Sequence, residues 1–213
     1  FGSADTAAAL GAFTFLTAFG GAVSVQKSDK KVASDNNGHI WCISNEILFL
    51  YDKASGVMTE FSRDDYPIPN SIVTDKFGNT WTISISGSLY RYDSRNGSFE
   101  KLSMNGIRMI EPVSDGKLLV STSDNEIMLL DPITLASDIV LPSSTLDKWR
   151  SVLCMTERIP GEYWIGTETG VIIYTAGQGI IETIKESSED KHAISASHVM
   201  CMFTDKDGNV WAG

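Results

Sequence analysis

The chain is written in short apolar runs separated by polar turns, and inside the runs the alternation has the period of strands rather than helices. One stretch shows the whole pattern. Residues 71–74 form a short apolar strand, and Asp75-Lys76-Phe77-Gly78 then turns the chain, because Asp accepts hydrogen bonds from its own downstream backbone and Gly tolerates a positive φ. Residues 81–85 alternate as a second strand. Residues 89–93 supply a third, residues 94–97 (Ser-Arg-Asn-Gly) a turn, and residues 98–102 a weaker edge strand.

That unit recurs. DNNGHIW ends at Trp41, DKFGNTW at Trp81, SDGKLL at Leu119, PGEYW at Trp164 and DKDGNVW at Trp211, with a glycine three residues earlier each time: Gly38, Gly78, Gly116, Gly161 and Gly208. The intervals are 40, 38, 45 and 47 residues. Such a period suits a propeller blade of four strands and is too long for ankyrin or tetratricopeptide units. A third-strand residue follows at a nearly fixed offset: Tyr51, Tyr92, Leu130 and Tyr174 lie 10, 11, 11 and 10 residues on, and Asp52, Asp93 and Asp131 come directly after three of them. The pattern predicts an all-β β-propeller of four-stranded antiparallel blades, with blades over 32–70, 71–107, 108–151 and 152–198 and the start of another over 199–213. Residues 1–31 read as an N-terminal hairpin or the outer strands of a preceding blade. Four blades do not close a ring of about six to eight, so further repeats are expected to complete it. Trp41, Trp81 and Trp164 are expected in the packing between blades, with Leu119 in the same place in the third copy and Trp211 more exposed.

Composition narrows the function. A net charge of −10, with no cluster of Lys and Arg, argues against nucleic acid as a partner. Residues 6–26 carry no charge, yet they are rich in Ala, Gly and Thr and lack a basic leader region. They read as a hairpin turning at Gly20-Gly21, with Phe13, Phe15, Val23 and Val25 alternating. Cys42, Cys154 and Cys201 form no CxxC and are read as buried, reduced residues, Cys154 and Cys201 at matching positions ten residues before their Trp.

The copies resemble the two-component regulator propeller repeat, whose usual form is Asp-x-x-Gly-Asn-hydrophobic-Trp-hydrophobic-Gly-Thr, then Gly-Leu and a Tyr-Asp pair. DKDGNVWAG at 205–213 and YWIGTETGVIIY at 163–174 carry the likeness, which extends over residues 32–213. The third copy departs by having Leu119 for Trp and no Asp six residues earlier; the fourth has Arg158 at that Asp position. The resemblance implies the extracytoplasmic sensor region of a membrane histidine kinase, at the periplasmic face of the inner membrane. It further implies a small-molecule ligand of the oligosaccharide class, a homodimeric full-length receptor, and membrane attachment only through segments outside this chain.

No HExxH, GxSxG, P-loop or paired-Cys motif accompanies the three histidines, so no catalytic residue, cofactor or metal site is expected. His39 takes the turn position of Asn79 and Asn209. Asp205-Lys206-Asp207-Gly208-Asn209 lacks the later Glu of a calcium loop and reads as a turn, Gly177-Gln178-Gly179 as a hairpin tip, and residues 187–191 as a solvated loop. The lengthened intervals place extra chain at 142–151 and 185–198, where insertions between blades tend to mark a binding face. Candidate ligand-binding residues are Tyr66, Asn105, Trp149, Arg150 and His198, offering aromatic faces for sugar-like rings and polar groups for hydroxyls. The alternative for Trp149 and Tyr66 is that they cover blade seams. Two other functions stay open: a lyase resembling streptogramin lyases, in which His198 or His192 would act with magnesium, and a protein-docking scaffold.

Overall fold

A computed structural model of the chain describes residues 31–61, 68–189 and 193–213. The hairpin expected at 6–26, Tyr66 and His192 lie outside the described residues. Four sheets are four-stranded antiparallel meanders in sequence order. The first holds β1 (Val32–Ser34), β2 (His39–Ser44), β3 (Ile47–Asp52) and β4 (Met58–Phe61), and the second β5 (Pro69–Thr74), β6 (Thr80–Ser84), β7 (Leu89–Asp93) and β8 (Ser98–Lys101). The third holds β9 (Ile107–Pro112), β10 (Leu118–Thr122), β11 (Ile127–Leu130) and β12 (Ser137–Leu141). The fourth holds β13 (Val152–Ile159), β14 (Glu162–Thr167), β15 (Gly170–Thr175) and β16 (Gly179–Ile184), and a hairpin of β17 (Met202–Thr204) and β18 (Val210–Ala212) follows. These are the blades of a β-propeller. The chain divides into two compact units, one ending at Ile107 and one beginning at Arg108.

In three of the described copies the turn from first to second strand is organised by an Asp carboxylate. Asp75 Oδ1 accepts the backbone N–H of Phe77 and of Asn79, both at 2.9 Å, while Oδ2 accepts Asn79 Nδ2 at 2.8 Å and the Trp81 indole N–H at 2.9 Å. One side chain thus fixes the turn and the Trp rotamer together. Asp205 repeats the arrangement with Asn209 and Trp211, and Asp35 with His39 and Trp41. His39 Nδ1 lies 2.7 Å from Asp35 Oδ2, where Asn79 Nδ2 stands in the second copy, so the imidazole does the work of a turn amide. Gly78 has φ +85°, a left-handed turn conformation that favours Gly.

The two copies without this Asp reach the same turn differently. In the third, buried Val113 keeps the backbone bond of the Asp copies, its carbonyl accepting the Gly116 N–H at 2.9 Å, and Asp115 within the turn supplies a carboxylate that accepts the Lys117 N–H at 2.9 Å. In the fourth, Trp164 donates its indole N–H to Glu162 at 2.9 Å, and Glu157 accepts the Gly161 N–H at 2.9 Å. The second Glu157 oxygen accepts the Ser114 N–H at 2.6 Å, which ties the third blade to the fourth.

The hydroxyl three residues after the large residue, which the repeat pattern carries as Thr, closes the next turn in the second, third and fourth copies. Ser84 Oγ accepts the Ser88 N–H at 3.0 Å and Thr122 Oγ1 accepts that of Glu126 at 3.2 Å, while Thr167 Oγ1 donates to the Gly170 carbonyl at 2.8 Å. These are short local bonds that compete successfully with continued strand pairing.

In the first unit Trp41 and Phe61 of one blade meet Tyr92 and Phe99 of the next. Trp41 stands edge-on to Tyr92 at 4.6 Å and to Phe99 at 5.7 Å. Aromatic pairs in this geometry add stability beyond the area they bury, about 0.5–1.5 kcal/mol each. In the second unit the seam between third and fourth blades contains Leu119, Ile127, Leu141, Leu146, Trp149 and Tyr163, and Tyr163 stacks on Tyr174 at 6.1 Å. Trp41, Trp81 and Leu119 are fully buried on β2, β6 and β10. Trp164 is only half-buried and Trp211 is 65% exposed, because β17 and β18 alone cover the last seam and nothing described covers theirs.

The cysteines agree with expectation in register and differ in burial. Cys154 pairs with Gly166 and Cys201 with Gly213, both glycines standing two residues after Trp. All three thiols are free; Cys42 and Cys154 are buried, and burial pushes them up to about 11 and about 12. Cys201 is exposed rather than buried, since it faces the uncovered side of the terminal hairpin.

Candidate functional site

The longest connections between blades in the second unit are those from β12 to β13 and from β16 to β17. The first folds into a single helical turn, α1 (Ser143–Leu146), continued by a 3₁₀ turn over Asp147–Trp149. It is anchored by Leu146 and Trp149, which are 0% and 3% exposed. The second connection makes one isolated bridge, Glu186 to Ile194. The two meet at the Trp149 ring, over which the Lys185 ammonium stands at 4.8 Å and that of Lys148 at 5.9 Å from the centroid. The β14–β15 turn comes to the same place: Thr169 Oγ1 donates to the Trp149 carbonyl at 3.3 Å, and the Glu168 N–H to that of Ser151 at 3.2 Å.

Trp149 does not stand open as an aromatic platform. It is packed into the seam between the third and fourth blades, so lysine side chains, not solvent, lie over its ring. Its indole N–H is buried and has no hydrogen-bond partner. Arg150 is exposed and holds φ 61°, ψ −134°, a conformation costly for a residue with a Cβ. His198 is exposed on the β16–β17 connection, next to the buried Val199. Asn105, in the first unit, is exposed and accepts a hydrogen bond from Ser88 Oγ at 3.1 Å. The structure therefore brings Trp149 together with Lys148 and Lys185, and Arg150 is exposed beside them in the chain. The two lysines were missed because nothing in their sequence spacing shows that loops about 37 residues apart converge on one ring. Among the described residues no three His, Cys, Asp or Glu side chains gather as metal ligands, and no helix is long and apolar enough to cross a membrane.

Repeated four-stranded meanders, carboxylate-pinned turns and Trp–Tyr seams define the class as a β-propeller. Among solved structures, the chain is similar to the extracellular domain of the hybrid two-component system BT4673 from B. thetaiotaomicron, at 18% identity and a TM-score of 0.70, over 85% of this chain and 25% of that one. It is also similar to the extracellular domain of the hybrid two-component system BT3049 from the same organism, at 18% identity and a TM-score of 0.63, again over 85% of this chain and 25% of that one. Virginiamycin B lyase from Staphylococcus aureus shares the fold at 11% identity and a TM-score of 0.61, over 88% of this chain and 65% of that one. The chain thus spans about a quarter of the length of the two sensor domains. These neighbours agree with the likeness to two-component regulator propeller repeats. No family model matches the sequence, and no curated protein matches it.

Proposed function

We propose that this chain is part of the ligand-sensing extracytoplasmic propeller of a two-component sensor, with a small molecule of the oligosaccharide class as ligand. The observation that carries the reading is the joint presence of the repeat pattern and the fold shared with extracellular domains of two hybrid two-component systems. An extracytoplasmic location goes with it, at the periplasmic face of the inner membrane. The blades act as a scaffold and the connections between them as the variable surface, the usual division of labour in repeat folds. Binding signals by favouring one arrangement of a receptor dimer, which requires that the ligand hold the two arrangements with different affinity.

The test is a transcriptional reporter for the full-length receptor, challenged with a panel of oligosaccharides, alongside calorimetric titration of the protein with each inducer. Induction by one glycan class, with direct binding of the same sugars, supports the reading. Turnover of a macrocyclic lactone, or a reporter indifferent to every sugar and to deletion of these blades, would overturn it.

A further inference from the structure

Two cations lie over the buried Trp149 ring, and a third side chain, Arg150, is exposed one residue further on. Lys148 and Lys185 have their ammonium groups 5.9 and 4.8 Å from its centroid, and Arg150 is the next residue in the chain. None of the three makes a salt bridge among the described residues, although Asp147 and Glu186 lie on the same connections, Glu168 lies on the β14–β15 turn beside them, and the chain as a whole carries −10. In a strongly acidic protein, neighbouring cations that no described carboxylate pairs with are available to an anion from outside.

Two further observations fall on the same spot. The Trp149 indole N–H is buried and unpartnered, which a folded protein normally avoids. The backbone at Arg150 is held at φ 61°, ψ −134°; among the described residues twelve other positive-φ positions carry Gly and four carry Asn45, Glu46, Asn125 and Leu135. A guanidinium kept where Gly would fit with less strain indicates a use for the side chain.

We propose that Lys148 and Lys185, which lie over Trp149 where the β12–β13 and β16–β17 connections meet, act with the exposed Arg150 beside them to bind the acidic group of a small molecule: a carboxylate or sulfate ester carried on a sugar-like ring. Arg supplies a planar fork suited to such oxyanions and the lysines supply point charges. The inference rests on the ligand-sensing reading and narrows its ligand to an acidic one.

The full chain is titrated by calorimetry with digalacturonate, with its neutral methyl ester, with N-acetylglucosamine 6-sulfate and with N-acetylglucosamine. Binding of digalacturonate or of the sulfated sugar, at least tenfold tighter than its neutral counterpart and weakened by salt, is the expected result; which acid binds identifies the source of the oxyanion. Lys185→Ala and Arg150→Gly should each lower that affinity tenfold or more, and Arg150→Gly should melt no lower than the parent, which separates a lost contact from a lost fold. Equal binding of acidic and neutral sugars, or unchanged affinity in both variants, overturns the proposal. A receptor induced by neutral sugars alone would sink this inference and spare the sensor reading; tight acidic binding without any reporter response would do the reverse.

Discussion

Replacing Asp75 by Ala removes one acceptor from four donors at once, and the consequences divide by burial. The Trp81 indole is 0% exposed, so its N–H is left in the interior without a partner, at a cost of about 1–3 kcal/mol. The Phe77 and Asn79 backbone N–H groups and the Asn79 amide are partly buried and regain some hydration, adding about 1–2 kcal/mol between them. The sum is about 2–5 kcal/mol, a large part of the roughly 5–15 kcal/mol by which a domain is stable. Asp75→Asn keeps an oxygen for the two backbone donors but sets its NH₂ against the indole N–H, and should cost about 2 kcal/mol. Urea unfolding followed by circular dichroism measures both, and repeating Asp75→Ala in a Trp81→Phe background isolates the indole bond, with an expected coupling of about 1–3 kcal/mol. A loss below about 1 kcal/mol for Asp75→Ala, or a coupling of zero, would refute the view that the carboxylate holds turn and Trp as one unit.

Hydrogen bonds from Trp211 and from Asn209 hold Asp205 at about 2, below its ordinary 3.8, so its contribution is complete above pH 3.8 and is lost as pH falls through about 2. The Trp211 indole proton resonance, followed by NMR, should therefore move over that window and stay constant from pH 5 to 8. Iodoacetamide should modify Cys201 in the native protein and spare Cys42 and Cys154 until denaturant is added; equal labelling of all three would contradict the burial described above. Gly166→Ala would place a methyl 2.4 Å from Cys154 Sγ and 3.0 Å from the Val199 carbonyl, so a loss of about 1–3 kcal/mol is expected, partly restored by adding Cys154→Ala; strictly additive melting losses would argue against the contact.

The blades were legible because two local signals coincide in sequence: an Asp or Gly turn with a definite mechanism, and a Trp at fixed distance from it. His39 could be assigned to its turn by comparison with Asn79 and Asn209, and the structure gives the reason in its contact with Asp35. Glu157 could not, because its role depends on Ser114 lying opposite it in the neighbouring blade. The same limit applies to the candidate site. Trp149 and Arg150 stand out as unusual residues in a lengthened interval, but that Trp149 is covered, and that Lys185 covers it, follows only from how two remote connections come together. Cys201 was misjudged because burial at that register belongs to a blade flanked on both sides, and the described residues flank this one on a single side.

The seam at Trp41 also imposes a schedule on the growing polypeptide. Its aromatic neighbours Tyr92 and Phe99 are made 51 and 58 residues later, so a nascent chain that has completed its first sheet still shows that indole ring to its surroundings. At about 5–20 residues per second the gap lasts several seconds. Each newly made blade would hand the same vulnerability on to the next, and a helper protein that recognises exposed aromatic rings would have one client site that advances along the chain, always one repeat behind synthesis.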